Sequence, residues 1–162
     1  PPLLVATGGT FPFSAAVHPL GTRLYVAHRG SHNVTVFTLD SSGNIVGQQP
    51  GSPFPTGGSV PFGLAVHPSG ARLYVTNDGS DSLTVFQLDP GGDVVGQPPG
   101  SPLSTGGTRP EGVTVHPLGT RLYVANFGSD TVAVLPLTRG GEIGGPPLVV
   151  VIRGGPVGVA VR

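Results

Sequence analysis

Apolar positions along this chain fall in short runs, and none of them has the spacing of a helix. The run 61–67, Pro-Phe-Gly-Leu-Ala-Val-His, is nearly continuous in apolar residues, the pattern of a strand buried on both faces. After a Pro-x-Gly turn, 72–77 (Arg-Leu-Tyr-Val-Thr-Asn) is rich in the aromatic and β-branched residues that fit a pleated sheet. The turn formers of 78–81 lead into 82–88 (Ser-Leu-Thr-Val-Phe-Gln-Leu), whose alternation predicts a third, half-exposed strand. Asp93-Val94-Val95-Gly96 opens a fourth, weaker strand. Its Pro-rich tail, 97–102, suits a sheet edge, where a missing N–H costs little.

This four-part pattern is written three times. AAVHPLGTRLYVAHRGSHNVTVF, LAVHPSGARLYVTNDGSDSLTVF and VTVHPLGTRLYVANFGSDTVAVL align with a constant offset of 49 residues, which separates His18, His67 and His116, and likewise Tyr25, Tyr74 and Tyr123. A fixed period of this size marks an array of equal supersecondary units. Four antiparallel strands in such a unit make a β-propeller blade, with the apolar first strand toward the central channel and the polar, Pro-rich fourth strand toward solvent. The expected fold is all-β, about three full blades with one orphan strand at each end. The 162 residues form a single repeat domain: an outer strand at 1–9, blades at 10–58, 59–107 and 108–155, and the inner strand of a next blade at 156–162.

Leu73-Tyr74-Val75-Thr76-Asn77 contains the YVTN core of the YVTN-repeat β-propellers. Leu24-Tyr25-Val26-Ala27-His28 and Leu122-Tyr123-Val124-Ala125-Asn126 are close variants, and the preceding His67-Pro68, Gly70 and Arg72 also resemble that family. The resemblance covers almost the whole chain. It implies a propeller of the kind found in lactonase-type proteins, including 6-phosphogluconolactonase-like ones, and in surface-layer proteins. The motif marks a strand, so it specifies the fold and leaves the activity open.

Three blades and two orphan strands do not close a ring, since propellers have about four to eight blades. An open arc leaves apolar blade faces in water, whereas repeat arrays cap their ends with polar surfaces. Two explanations follow. Copies of the chain associate into a homodimer or higher homo-oligomer, or the chain is part of a longer one with further blades. Two copies carry about 28 strands, numerically seven blades. Association of identical chains is the first expectation.

Composition narrows the function classes. Eight Arg balance eight acidic residues, with no Lys, and the Arg occur singly, so no basic field points to nucleic acid. The absence of Cys excludes disulfides, thiolate metal sites and Cys nucleophiles. No apolar run reaches the roughly 18 to 20 residues of a membrane span. The sequence starts at Pro1 with no Met and no signal peptide, as expected of a processed, trimmed or partial chain. Compartment stays open between secreted, cell-surface and cytoplasmic. No cofactor motif is present: no Gly-x-Gly-x-x-Gly before a helix, no calcium loop and no nucleophile elbow.

Residues that recur in every unit build the unit. His18, His67 and His116 end buried strands, where each ring is expected to hydrogen-bond turn backbone rather than share a metal. Tyr25, Tyr74 and Tyr123 are structural in the same sense, and Arg23, Arg72 and Arg121 suit an ion pair or a carbonyl contact. Differences between units are the better guide to a ligand. The loop after the second strand reads His28-Arg29-Gly30-Ser31-His32 in unit one, where His28 and His32 form a candidate pH-sensitive or metal-binding pair. Arg109 and Glu111 flank Pro110 where a first strand begins, opposite Val60 and Phe62, then Thr10 and Phe13. Facing the channel mouth, they are the leading ligand-binding candidates. No catalytic constellation is evident. The expected function is a non-catalytic propeller module that self-associates and binds a small molecule or protein or acts as a scaffold. The alternative is a lactonase-like hydrolase, 6-phosphogluconolactonase-like, or a fragment of one.

Overall fold

A computed structural model of the chain describes residues 5–152. Fourteen strands form three antiparallel sheets among these residues. The first sheet contains β1 (Pro12–Val17), β2 (Arg23–His28), β3 (Asn33–Leu39), β4 (Ile45–Gln48) and β5 (Phe54–Pro55). The second contains β6 (Pro61–Val66), β7 (Arg72–Asn77), β8 (Ser82–Leu88), β9 (Val94–Gly96) and β10 (Leu103–Ser104). The third contains β11 (Pro110–Val115), β12 (Arg121–Asn126), β13 (Thr131–Pro136) and β14 (Leu148–Val151). The register is the same in each: Tyr25 lies opposite Val36, Tyr74 opposite Val85 and Tyr123 opposite Val134. This is the architecture of propeller blades, in a partial ring. Among the described residues, no helix is long and apolar enough to cross a membrane.

The sheets stack face to face, and the core is two interleaved layers between them. Tyr25, Ala27, Val34 and Val36 of the first sheet meet Leu73, Val75, Phe86, Leu88 and Val94 of the second. Tyr74, Leu83 and Val85 on the second sheet's other face meet Leu122, Val124, Ala133 and Leu135 of the third. Alternate side chains of one strand therefore serve two different interfaces.

Three expectations change here. The third strand is not half exposed: β8 is buried at Leu83, Thr84, Val85, Phe86 and Leu88, because the middle sheet is covered on both faces. The first strand is not buried on both faces. β1 is largely exposed and β6 and β11 mostly half-buried, because first strands lie beside one another along the axial side, where no further layer covers them among the described residues. The fourth strand of the first two sheets is two short pieces rather than one. β4 and β5 both pair with β3, and β9 and β10 both pair with β8, with the Pro-rich stretch looping out between.

Of the expected outer strand at 1–9, residues 5–9 are described and form no strand, although the Thr7 carbonyl accepts the Thr35 hydroxyl just as the Thr56 carbonyl accepts that of Thr84. The expected inner strand at 156–162 lies outside the described residues.

Candidate functional site

The recurring polar residues join one sheet to the next. His18 Nδ1 accepts the Leu20 N–H of its own turn at 3.3 Å, which leaves the proton on Nε2 for the Gly70 carbonyl of the second sheet at 3.2 Å. His67 does the same: Nδ1 takes the Ser69 N–H at 3.1 Å, and Nε2 faces the Gly119 carbonyl at 3.0 Å. Tyr25 donates its hydroxyl to the Gly92 carbonyl at 2.7 Å, and Tyr74 to that of Gly141 at 2.5 Å. Arg23 grips Asp93 through two parallel bonds of 2.8 Å, and Arg72 reaches Glu142 at 2.7 Å. Burial pushes both tyrosine hydroxyls above their ordinary range, while hydrogen bonding to Arg23 holds the Asp93 carboxyl below its own. Each seam thus repeats one set: His to Gly, Tyr to Gly, Arg to carboxylate. His116 makes the turn contact, Nδ1 to the Leu118 N–H at 3.1 Å, but no residue described here accepts from its Nε2 or from the Tyr123 hydroxyl.

Chemistry that differs from sheet to sheet collects at one end, where the first strands begin. Phe11, Val60 and Arg109 occupy equivalent positions with φ of +53°, +55° and +51°. Side chains rarely tolerate this conformation, least of all a β-branched one such as Val60. Each is held by an identical bond: its carbonyl accepts the N–H of Arg29, Asp78 or Phe127, all at 2.9 Å. The counterpart of Arg109 in the first unit is accordingly Phe11, not Thr10.

These backbone clamps set three dissimilar groups of side chains at the end of the sheets where the first strands begin. The Phe13 and Phe62 rings tilt together with centroids 4.3 Å apart, and the Arg29 guanidinium lies 4.9 and 5.1 Å from them. Arg109 lies 4.8 Å from the Phe127 ring and bonds to Asp78 at 3.2 Å and to Glu111 at 3.4 Å. Glu111 is 7% exposed; burial, reinforced by Asp78, raises its carboxyl above the ordinary value despite Arg109 and Arg29. Arg29 makes no side-chain hydrogen bond or ion pair among the described residues. An open hollow of about 540 Å³ adjoins it, lined by Phe11, Pro12, Phe13, Gly30 and Val60.

Arg109 and Glu111 therefore come together at this end of the sheets, whereas the two histidines go to different surroundings. His28 is fully buried, neither ring nitrogen is hydrogen-bonded among the described residues, and desolvation lowers its pKa. His32 lies on the surface, and its Nδ1 accepts the Val60 N–H at 3.0 Å, linking first and second sheets as Asp81 does for Arg109 at 2.7 Å. No group of three potential metal ligands occurs among the described residues. Sequence reasoning passed over Arg29, Phe13, Phe62 and Asp78 as site members. Part of the signal was present: at the 49-residue offset one position reads Arg29, Asp78 and Phe127, and another reads Phe13, Phe62 and Glu111.

The model of the family described as "Lactonase, 7-bladed beta-propeller" matches residues 12–97. No curated protein matches the chain. Among solved structures, the periplasmic gluconolactonase of Pseudomonas aeruginosa is 25% identical with a TM-score of 0.71, covering 87% of this chain and 40% of that one. A putative 6-phosphogluconolactonase from Bacteroides fragilis is 16% identical (TM-score 0.72; 91% and 40% covered), and a protein of unknown function from Desulfotomaculum acetoxidans is 20% identical (TM-score 0.72; 91% and 44% covered). The chain spans about 40% of the length of these structures. With three blade-like sheets in the expected stacking and more than half of its residues matched, this chain belongs to the lactonase family of seven-bladed β-propellers.

Proposed function

We propose that the chain is a non-catalytic, self-associating binding module that takes a small anionic ligand at the channel mouth. One observation carries the ligand class. The Arg29 guanidinium is stacked on two Phe rings, its N–H donors unspent, beside an open hollow. A planar donor fork fixed over an apolar floor suits a carboxylate or phosphate oxygen, with the rest of the ligand on the aromatic surface. Calorimetric titration with gluconate and 6-phosphogluconate tests it. Binding of either, weakened about tenfold or more in Arg29→Ala, is the expected result. Equal affinity in the variant removes Arg29 from the site.

Lactone hydrolysis is the second reading, and one observation favours it. Glu111 is a buried carboxyl with a raised pKa next to Arg109, an arrangement suited to a general base beside an oxyanion-stabilising cation. Proton release from glucono-1,5-lactone decides between the two. The binding reading expects the same background rate from the chain, from Glu111→Gln and from buffer. Turnover by the chain that Glu111→Gln abolishes replaces it with a hydrolase.

A further inference from the structure

The third sheet ends with the donor half of a seam, and the first sheet begins with the acceptor half. On the third sheet, Tyr123 and His116 are partly exposed, whereas Tyr25 and Tyr74 are fully buried and His18 and His67 nearly so. Val132 and Val134 are likewise half-uncovered, although their counterparts Val34, Leu83, Val36 and Val85 are buried. On the first sheet, Gly21 and Gly43 stand where Gly70, Gly119, Gly92 and Gly141 stand in the later units, with the same positive φ. The later four are buried against the preceding sheet. A Cβ placed on Gly92 falls 2.9 Å from the Tyr25 hydroxyl, and one on Gly119 falls 2.6 Å from His67 Nε2. A Cβ placed on Gly21 or Gly43 meets nothing within 4 Å among the described residues. Leu24 and Val26 are half-exposed there too, while Leu73, Leu122, Val75 and Val124 are fully buried.

We infer that these two faces are the halves of one heterologous interface: the third sheet of one copy docks on the first sheet of a second copy, in the register of the internal seams. Tyr123 donates to the partner's Gly43 carbonyl and His116 to the partner's Gly21 carbonyl, while the Tyr123–Val132–Val134 surface covers the partner's Leu24 and Val26. A second copy is the fitting occupant because it supplies each acceptor at its required place and the same apolar types as the internal interfaces. One element is weaker. Asn44 stands where Asp93 and Glu142 receive an arginine, so Arg121 meets an amide already bonded to Asp40 at 3.0 Å. The junction between copies is therefore looser than the internal seams. A head-to-tail contact of this kind closes into a ring or propagates into a filament, according to its rotation.

The inference rests on the self-association reading and adds the register. Since the chain lacks Cys, cross-linking has no background. Tyr123→Cys chains mixed with Gly43→Cys chains are treated with a short bismaleimide, and Val95→Cys, on an exposed position outside the proposed interface, replaces Gly43→Cys as control. A covalent dimer from the first mixture and none from the control is expected. Asn44→Asp, which restores the charge pair, is expected to tighten association roughly two- to fivefold, read by sedimentation without dependence on the cysteine variants. Assembly with equal cross-linking in both mixtures and no effect of Asn44→Asp overturns this register and leaves self-association standing. A single-protomer mass at every concentration overturns both.

Discussion

Replacing Tyr74 with Phe removes one oxygen from the middle of a seam. That hydroxyl is fully buried and donates at 2.5 Å to the carbonyl of Gly141, itself buried. The ring and its packing against Leu122 and Leu135 remain, so no cavity opens. What is lost is the hydrogen bond, and what is left is a carbonyl shut away from water, at a cost of about 1–3 kcal/mol. For a domain of this size, each kcal/mol moves Tm by roughly 2–4 °C. A loss near the middle of the range lowers Tm by about 4–8 °C. Tyr123→Phe is the internal comparison, with identical chemistry in the same register but a hydroxyl that no described residue accepts. In the single protomer it is expected to cost under about 0.5 kcal/mol, as for an ordinary surface change. Urea unfolding followed by far-ultraviolet circular dichroism, at protein concentrations where light scattering gives one protomer, measures both. Equal destabilisation by the two substitutions refutes the claim that burial between sheets gives the hydroxyl its worth.

Two further outcomes test the same seam and the mouth. Gly92→Ala places a methyl 2.9 Å from both His18 and the Tyr25 hydroxyl, while Gly43→Ala, at a similar positive φ, meets open space. Both bear the backbone strain of about 1 kcal/mol, and only Gly92→Ala adds overpacking of about 1–3 kcal/mol, so unfolding midpoints that match contradict the seam. Asp93 and Glu111 give stability opposite pH slopes. The Asp93 pKa is depressed in the folded chain, so its contribution is complete above its ordinary 3.8 and lost as pH falls below it; Asp93→Asn flattens that limb. The Glu111 pKa is raised, so stability declines as pH climbs from 4.5 through its folded value, and Glu111→Gln flattens this upper limb in pH-dependent urea titrations. A slope on either limb that its variant leaves unchanged removes the group from that role.

Much of the fold was legible because repetition strengthens every local signal. One unit's apolar run before His67 is ambiguous, but three runs in the same register, each followed by Pro-x-Gly and a Tyr-centred strand, leave little besides a blade. Burial was less legible, because it depends on the neighbouring layer. Thr84 and Thr35 look like solvent-facing members of an alternating strand, yet both are fully buried, each donating to a backbone carbonyl of the segment alongside. The paired fourth strands escaped notice because segments as short as Phe54–Pro55 carry almost no pattern. At the mouth, Arg109 and Glu111 were visible as a departure from the repeat. The role of Arg29 was not, since it depends on Phe13 and Phe62 meeting from different sheets. His32 shows the limit of reading a pair from spacing: four residues from His28, it turns outward to bond Val60.

One set of donors and acceptors joins every pair of neighbouring sheets among the described residues and is left half-made at the two outer faces. Multi-angle light scattering of the purified chain across a hundredfold range of concentration tests it most directly. The mass is expected to rise with concentration from 16.3 kDa to a multiple of that value, with Tyr123→Phe shifting the rise to higher concentration. A folded chain that holds 16.3 kDa throughout, or an association indifferent to Tyr123→Phe, contradicts it.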